Sequence, residues 1–329
     1  MALPNRKPDS RPALRLVDTR KLDRTEWLEV RKTGIGASDA AAAVGLSPYK
    51  SPLELWLEKT GRDDTLPKPD PKDTTEPVYW GTLLEPIVAA AYTQQTERKV
   101  RKVNAVLQHP QHSFMLANLD REVIGSPAVQ ILECKTAGEY GAALWREGVP
   151  EYVQLQVQHQ LAVTGKHAAD VAVLLCGQRL DVHRIERDDE LIDRLIKLEA
   201  RFWDYVIKDT PPPADGSESA DRALRCLYPG SGPTVDFSDD RTLSATFADL
   251  VMMRADIKDR EAQAENLKQT LQQAMGNADS AQFETGRVTF KRSRDATLLD
   301  VDRLLLDHPE LVVAYASTRP GSRRFRVLT

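Results

Sequence analysis

The stretch FMLANLDREVIGSPAVQILECKTAG, at 114–138, constrains the fold more than any other part of the chain. Two apolar segments flank a turn at 125–127, which is the pattern of a β-hairpin. Glu133 and Lys135 stand two positions apart in the second segment, so we expect both to point to the same face of a strand. Opposite charges in an otherwise apolar strand are costly to bury unless they are paired or used. The hairpin therefore predicts that Asp120 lies beside Glu133 and Lys135.

The hairpin is embedded in an alternation of helical and strand-like segments. The pattern predicts helical structure at 25–60 (interrupted by glycines at 34 and 36) and at 80–96, and strands at 100–107, 114–119 and 129–136. It then predicts a helix at 151–164, two strands at 170–176 and 179–185, and an amphipathic helix at 188–208. This order predicts an α/β fold with a mixed sheet flanked by helices.

At 329 residues the chain has the length of about two domains. We expect a mobile N-terminal arm at 1–20, a core domain at 21–210, a linker at 211–243 and a C-terminal extension at 244–329. Within the extension, heptad-like spacing predicts a long helix over 244–275. Strands are expected at 288–293 and 324–328, around a short helix at 300–307.

Composition excludes several classes of protein. The three cysteines are widely spaced, with no CxxC pair, which excludes a four-cysteine zinc or iron–sulfur site and is typical of a reduced, cytosolic chain. No apolar run approaches the ~20 residues of a membrane span, and the first residues lack the apolar segment of a secretory signal. The formal net charge of −4 gives no bulk attraction to nucleic acid. The six histidines have no metal-ligand spacing and are interpreted as structural.

Two carboxylates and a lysine on one sheet edge predict a metal site with a base beside it. Asp120 and Glu133 offer the hard oxygen ligands that Mg²⁺ prefers, and Lys135 could position a water or stabilise a developing oxyanion. The pattern Asp…Glu-x-Lys alone has little specificity, because many surface strands carry Glu-x-Lys as a solvated charge pair.

Four ordered blocks give the sequence a more specific identity. They are EWLEVRKTGIGASDAAAAVGLSPYKSPLELW (26–56), WGTLLEPIVAAAY (80–92), FMLANLDREV with LECKTA (114–123 and 132–137), and PEYVQLQVQHQLAVTG (150–165). In these blocks the chain resembles the YqaJ-like viral recombinase family, the lambda-exonuclease-type branch of the PD-(D/E)XK nucleases. The resemblance covers about residues 24–210. It implies a restriction-endonuclease-like core, with the C-terminal extension as a small helical and β addition.

The resemblance also implies roles for individual residues. Asp120, Glu133, the helical Glu85 and the backbone carbonyl of Cys134 would bind two Mg²⁺ ions, with Mn²⁺ as a possible substitute, and Lys135 would be the motif lysine. Arg31 and Ser38 would hold a 5′-terminal phosphate, and Trp27 would help to shape that pocket. Gln156 and Gln158 would lie on the helix beside the active site.

Each of these residues also has an ordinary structural interpretation. Glu85 could be an exposed helix glutamate paired with a neighbour, Arg31 a surface cation, Trp27 a core residue and Ser38 a helix N-cap. Glutamines occupy every second position from 154 to 160, so on a helix they spread around the axis and cannot all line one site. A basic cluster at 98–102 and another formed by Arg319, Arg323, Arg324 and Arg326 could be DNA contacts or solvated surface.

The sequence departs from the family pattern around the first aspartate. Leu119 precedes Asp120 where a proline or serine is expected, and Arg121 follows it where small residues are common. The segment at 125–128 looks like an alternative motif, but Ala128 carries no carboxylate and lies too close to Glu133 for a turn. Asp120 therefore remains the predicted ligand.

As a whole, the resemblance implies an Mg²⁺-dependent 5′→3′ exonuclease acting in a bacterial host or phage-infected cell. It would digest one strand of linear double-stranded DNA from its ends to mononucleotides and leave 3′ single-stranded overhangs for phage recombination. A homotrimeric ring around DNA and a single-strand annealing partner are expected, and no membrane partner. An endonuclease of the same fold and a non-catalytic DNA-end-binding scaffold stay open, as do polarity, processivity and the need for a 5′-phosphate.

Overall fold

A computed structural model describes residues 13–230, 232–318, 321 and 323–328. The chain divides into two compact units, with the boundary between Tyr228 and Pro229. This boundary falls inside the predicted linker at 211–243. Within the described residues, no helix combines the length and the apolar character that crossing a membrane requires.

The N-terminal unit contains two sheets. Its strands are β1 (Leu14–Val17), β2 (Ile35–Gly36), β3 (Lys99–Lys102), β4 (Val106–Gln108), β5 (Met115–Ala117), β6 (Arg121–Ile124), β7 (Ile131–Ala137), β8 (Ala168–Leu175) and β9 (Arg179–Glu186). One sheet has the order β1-β4-β5-β2 and the other the order β3-β6-β7-β8-β9. In the five-stranded sheet β7 and β8 pair in parallel and the other neighbours are antiparallel. The mixed sheet of the sequence prediction is confirmed.

Helices cover both faces of the five-stranded sheet. The helices of this unit are α1 (Arg24–Lys32), α2 (Ala40–Ala43), α3 (Pro52–Lys59), α4 (Pro77–Thr96), α5 (Glu139–Ala142), α6 (Glu151–Thr164), α7 (Asp189–Ile207) and α8 (Glu218–Leu227). Leu132 of β7 packs with Val88 and Tyr92 of α4, whereas Ile131 packs with Val157 of α6 on the opposite face. This alternation confirms the expected α/β class, with α6 as the crossover between the parallel strands β7 and β8.

The first helical region is divided by a close backbone approach. Ile35 donates its N–H to the Phe114 carbonyl at 2.6 Å, and β2 pairs in parallel with β5. A Cβ at Gly34 would lie 2.7 Å from the same carbonyl oxygen. Only glycine fits there, so the helix stops and a short strand begins.

A buried histidine fixes α6 against its neighbours. His159 is fully buried, and its ring nitrogens lie 2.7 Å from Glu199 Oε1 of α7 and 2.9 Å from the Leu116 carbonyl of β5. Burial disfavours the charged ring, but Glu199 outweighs burial and the pKa of His159 is raised. This histidine packs against a carboxylate and a backbone carbonyl, in line with its structural interpretation.

Three sequence expectations differ from this unit. The predicted strand at 100–107 is two strands in different sheets, because β3 pairs with β6 in the five-stranded sheet whereas β4 pairs with β1 and β5 in the four-stranded one. Residues 14–17 of the predicted arm form β1, paired with β4, while residues 1–12 lie outside the described part of the chain. The predicted linker contains α8, which was not expected after the proline-rich segment at 211–213. Ser219 of α8 forms hydrogen bonds with the backbone N–H and the hydroxyl of Ser51 at the start of α3.

The C-terminal unit contains the long helix that the heptad spacing predicts, α9 (Arg241–Met275). A hairpin of β10 (Ser280–Phe283) and β11 (Gly286–Thr289) follows, then α10 (Val301–Asp307) and α11 (Glu310–Tyr315). The expected strand at 288–293 is shifted to β11, and its partner β10 was not predicted. The expected strand at 324–328 is wrong, since these described residues have no strand partner. Arg319 of the predicted basic cluster lies outside the described residues.

Candidate active site

The β6–β7 hairpin brings the predicted aspartate to the predicted glutamate and lysine. Asp120 immediately precedes β6, and its Oδ2 accepts the backbone N–H of Cys134 at 2.8 Å. Antiparallel pairing of Arg121 with Leu132 sets this register. Asp120 therefore lies across from the Glu133–Cys134 peptide, as the sequence pattern predicts, and Cys134 contributes its N–H in this structure.

Glu133 is buried and is oriented from two sides. Its Oε1 accepts from Gln156 Nε2 at 2.6 Å and pairs with Lys135 Nζ at 2.8 Å, and its Oε2 accepts from Gln160 Nε2 at 2.7 Å. Lys135 Nζ also donates to Gln156 Oε1 at 2.8 Å. Glu133 and Lys135 share one face of β7, as expected from their spacing. Helix α6 locks both side chains with amide groups.

The local electrostatics favour arrival of a cation. Burial, and then repulsion from Glu133, raise the pKa of Asp120 to about 8, although the Cys134 N–H opposes the shift. Burial disfavours the charge of Lys135, but Glu133 outweighs burial, so the pKa of Lys135 is raised. Burial and the neighbouring carboxylates also raise the pKa of the Cys134 thiol. Lys135 thus keeps its proton, whereas burial and the charge of Glu133 both oppose ionisation of Asp120.

Glu85 of α4 reaches this region through an arginine. Arg121 Nη1 donates to Glu85 Oε1 at 2.5 Å and to the Asp120 carbonyl oxygen at 2.6 Å. Arg121 is buried, and the side chain of Glu85 is about a quarter exposed, at 27%. Glu85 therefore forms an ion pair at the edge of the carboxylate cluster, which also agrees with its ordinary interpretation as a helix glutamate paired with a neighbour.

The two predicted glutamines fall on different sides of α6. Gln156 contacts Glu133 and Lys135, but Gln158 donates to the Glu186 carbonyl at 2.8 Å and accepts the Asp188 N–H at 3.1 Å. Gln158 therefore holds the junction of β9 and α7, away from the carboxylates. Gln160 takes the place expected for Gln158, because it follows Gln156 by four residues and so lies on the same side of the helix. That spacing was the available signal for Gln160.

Arg31 contacts both Ser38 and Trp27, which the resemblance assigns with it to one phosphate pocket, and the three residues form a second cluster around the Arg31 guanidinium. The Arg31 guanidinium lies 4.8 Å from the Trp27 ring centroid and donates to Ser38 Oγ at 2.8 Å. Ser38 is exposed and Trp27 is half-buried. Neither the core role of Trp27 nor an N-cap role of Ser38 describes these contacts.

Two residues that the sequence analysis did not assign complete this cluster. Asp39 accepts from Arg31 Nη2 at 3.0 Å and from Lys59 Nζ at 2.8 Å, and Lys59 also donates to the Arg31 carbonyl at 2.8 Å. A Cβ on Gly36 would lie 3.2 Å from Arg31 Nη2, so a side chain there would crowd the guanidinium. Burial opposes ionisation of Asp39, but Arg31 and Lys59 outweigh it and hold the pKa of Asp39 well below its usual range.

The sheet places the two clusters at the same end. In the parallel pair of β2 and β5, Gly36 stands opposite Leu116. Ser38 follows Gly36 by two residues and Asp120 follows Leu116 by four. Because parallel strands run in the same direction, both segments leave the sheet at one edge. Ser38 and Asp120 therefore both follow the carboxyl end of this pair of strands.

The donor chemistry of the carboxylate cluster fits a hard divalent cation. Asp120, Glu133 and Glu85 offer only oxygen ligands, and a cation would relieve the repulsion that raises the pKa of Asp120. In the described part of the chain, no three His, Cys, Asp or Glu side chains already stand together as a metal-binding group. The metal site therefore stays a prediction, with Asp120 and Glu133 as its central ligands.

Comparison with solved structures gives low similarity. An alkaline exonuclease from Laribacter hongkongensis aligns with a TM-score of 0.46 and 22% identity, over 56% of this chain and 93% of that one. A phage-related exonuclease from Haemophilus somnus 129PT aligns with a TM-score of 0.41 and 13% identity, over 56% of this chain and 99% of that one. Neither likeness bears on the activity of this chain.

Comparison of sequences is more decisive. The model of the YqaJ-like viral recombinase domain matches residues 26–167, which include both clusters. The uncharacterized protein YqaJ of Bacillus subtilis (strain 168) is 37% identical over 274 residues, which cover 80% of this chain and 82% of that protein. With this extent of identity, the chain belongs to the YqaJ-like viral recombinase family.

Proposed function

We propose that this protein is a metal-dependent exodeoxyribonuclease that digests one strand of linear double-stranded DNA in the 5′→3′ direction. It would release mononucleotides and leave a 3′ single strand for phage recombination by annealing. The observation that carries the proposal is the assembly of Asp120, Glu133 and Lys135 on one hairpin, beside a cationic cluster at the same sheet edge.

The carboxylate cluster would provide the chemical step. Asp120, Glu133 and Glu85 would hold Mg²⁺, or Mn²⁺ in its place, as two ions. A bound ion of this kind lowers the pKa of a water ligand and stabilises charge on a phosphate. Glu133 is kept in one orientation by Gln156 and Gln160, which is the preorganisation that such a site needs.

Lys135 would act as a fixed positive charge beside the reacting phosphate. Its Nζ keeps its proton because Glu133 outweighs the effect of burial. Gln156 Oε1 and Glu133 Oε1 both accept from this ammonium, so its position is set by two contacts. An ammonium held in this way can orient a water or stabilise a developing oxyanion.

The Arg31 cluster would hold the 5′-terminal phosphate. Arg31 offers a planar fork suited to phosphate oxygens, and the exposed Ser38 hydroxyl lies beside it. Arg31 and Lys59 both pair with the single carboxylate of Asp39, so these three side chains together carry a net positive charge. Such a pocket would make cleavage depend on a phosphorylated end.

An acidic chain that works on DNA needs another way of staying on its substrate. We propose that the active form is a ring of three copies around the duplex, in which weak phosphate contacts permit sliding. A single-strand annealing protein is the proposed partner that receives the 3′ strand.

Nucleotide release from three duplexes in Mg²⁺ tests this function. The substrates are linear DNA with a 5′-phosphate, linear DNA with a 5′-hydroxyl, and covalently closed circular DNA. Rapid loss of the phosphorylated linear DNA alone is the expected result. Cutting of the circle would indicate an endonuclease, and binding to ends without any cleavage would indicate a scaffold.

A further inference from the structure

Arg121 is the residue of the carboxylate cluster that the proposed chemistry leaves without a role. One of its nitrogens, Nη1, contacts both Glu85 Oε1 and the Asp120 carbonyl oxygen. The side chain is about one-tenth exposed, at 10%, so the contact is made largely away from solvent. A positively charged nitrogen between two oxygens of an acidic site occupies the kind of position that a cation takes.

Arg121 cannot give up this charge by losing a proton, because a guanidinium stays protonated at any ordinary pH. A divalent ion that approaches Glu85 therefore meets a like charge already bound to the same carboxylate. The two cations repel each other at short range, and the partly buried setting weakens screening by water. Metal and guanidinium are thus alternatives at Glu85.

We propose that Arg121 is a built-in competitor for the metal site, which holds Glu85 in the metal-free protein and must leave it when the ion binds. The proposal rests on the proposed function, since it assumes that Glu85 and Asp120 are metal ligands. Arg121 is then a positioning residue that sets the metal concentration at which the site assembles. Its long side chain lets the guanidinium move without any change in the backbone of β6.

Arg121 should also stabilise the fold of the metal-free protein. In the metal-free protein Arg121 neutralises part of the repulsion among Glu85, Asp120 and Glu133. Removing it leaves Glu85 without its partner until an ion arrives. Substitution of Arg121 should therefore weaken the metal-free fold and strengthen metal binding together, whereas a purely structural arginine would produce only the first effect.

Calorimetric titration of Mn²⁺ into the full chain, freed of metal beforehand, measures the affinity directly. Arg121→Gln is expected to bind Mn²⁺ on the order of tenfold more tightly than the unmodified chain. Arg101→Gln is the matched control, because Arg101 pairs with Glu122 on the neighbouring strands β3 and β6 at 2.6 Å, outside the cluster. Its affinity should stay within about twofold of the unmodified chain.

Equal or weaker Mn²⁺ binding by Arg121→Gln, with binding by the unmodified chain intact, would overturn the inference and leave the proposed function standing. Absence of Mn²⁺ binding by the unmodified chain would instead overturn the metal site itself, and the inference with it. The two failures are therefore distinguishable in one titration series.

A second measurement needs no variant. Phenylglyoxal modifies accessible arginines, and mass spectrometry of peptides reports the extent at Arg121. The proposal expects slow modification of Arg121 in EDTA and faster modification with Mn²⁺, with Arg101 unchanged as the internal reference. Equal modification of Arg121 in both conditions would contradict displacement by the metal.

Discussion

Asp120 and Asp39 each lie in a cluster of charged side chains, yet the pKa values of their carboxyl groups are shifted in opposite directions. Burial opposes the charge of each. At Asp39 the cations Arg31 and Lys59 overcome burial and lower the pKa, whereas at Asp120 the repulsion from Glu133 adds to burial and raises it. One aspartate serves as the counter-ion of a cationic cluster, and the other belongs to a cluster short of positive charge.

Under the proposed function, this contrast matches the two clusters to ligands of opposite charge. Three carboxylates stand against Arg121 and Lys135 in one, so a cation completes its charge balance. Two cations stand against Asp39 in the other, so an anion does. Under the proposed function these ligands would be a metal ion and a phosphate, which are the partners that hydrolysis of a nucleic-acid end requires.

The most severe test of the contrast removes one charge from the acidic cluster. Glu133→Gln should reduce Mg²⁺-dependent nucleotide release by at least about 10³-fold, because the buried carboxylate that orients Lys135 and the metal is lost. Binding to duplex ends, measured by fluorescence anisotropy, should remain. Glu122→Gln, on β6 but paired with Arg101, is the control and should cleave normally. Undiminished release by Glu133→Gln would remove this residue from the mechanism.

The corresponding change in the cationic cluster should affect end recognition. Arg31→Lys keeps the charge but loses the planar fork, so the preference for a 5′-phosphate over a 5′-hydroxyl should fall about 10- to 100-fold. The ratio of initial rates on the two linear duplexes measures this preference. Arg20→Lys is the control, since Arg20 is exposed and pairs with Asp18. An unchanged ratio would mean that the terminal phosphate binds elsewhere.

The two clusters should also differ in their response to pH. Asp120 has a raised pKa of about 8, so metal must displace a proton below that pH, and affinity for Mn²⁺ should rise by up to about tenfold per pH unit and level off above pH 8. The free energy of unfolding of the metal-free protein should change with pH in the opposite direction, falling as the pH rises. The neutral carboxyl favours the fold at low pH, and this contribution is lost as pH rises through about 8.

Calorimetry at several pH values and thermal unfolding in EDTA check these two trends. Binding of a 5′-phosphate at the Arg31 cluster should instead follow the second ionisation of the phosphate, at about pH 6, and level off above about pH 7, because Arg31 and Asp39 keep their charges over this range. A metal affinity independent of pH between 6 and 8 would contradict the assignment of Asp120 as a ligand.

A smaller effect separates the two sides of α6. Gln160→Leu removes the donor to Glu133 Oε2 and should lower nucleotide release about three- to tenfold. Gln158→Leu removes contacts with Glu186 and Asp188 instead, so it should lower the melting temperature and leave the rate per folded molecule unchanged. Equal loss of rate in both variants would mean that the helix acts as a structural unit only.

The sequence predicted the acidic cluster well and the cationic cluster in part. Strand alternation was enough to place Glu133 with Lys135, and the hairpin turn was enough to bring Asp120 across. Asp39 and Lys59 were not assigned, because their contact depends on packing between residues twenty positions apart, which local patterns do not record. Gln158 was placed with the carboxylates although helix periodicity favours Gln160.

Some boundaries of strands were predicted wrongly for similar reasons. The predicted strand at 100–107 is divided between two sheets by tertiary pairing, because β3 pairs with β6 whereas β4 pairs with β1 and β5. In the C-terminal unit the long helix α9 was predicted from its heptad spacing, while β10 was not recognised, because only its partner strand carries a marked strand pattern.

The parallel pairing of β2 with β5 has one more consequence. Backbone hydrogen bonds between these strands set the spacing between the segment that carries Ser38 and the segment that leads to Asp120. Under the proposed function, that spacing would set the number of nucleotides removed from a DNA strand at each step. A change in step size would then require an insertion between the strand and Asp120, where the chain spans the short segment at 118–119.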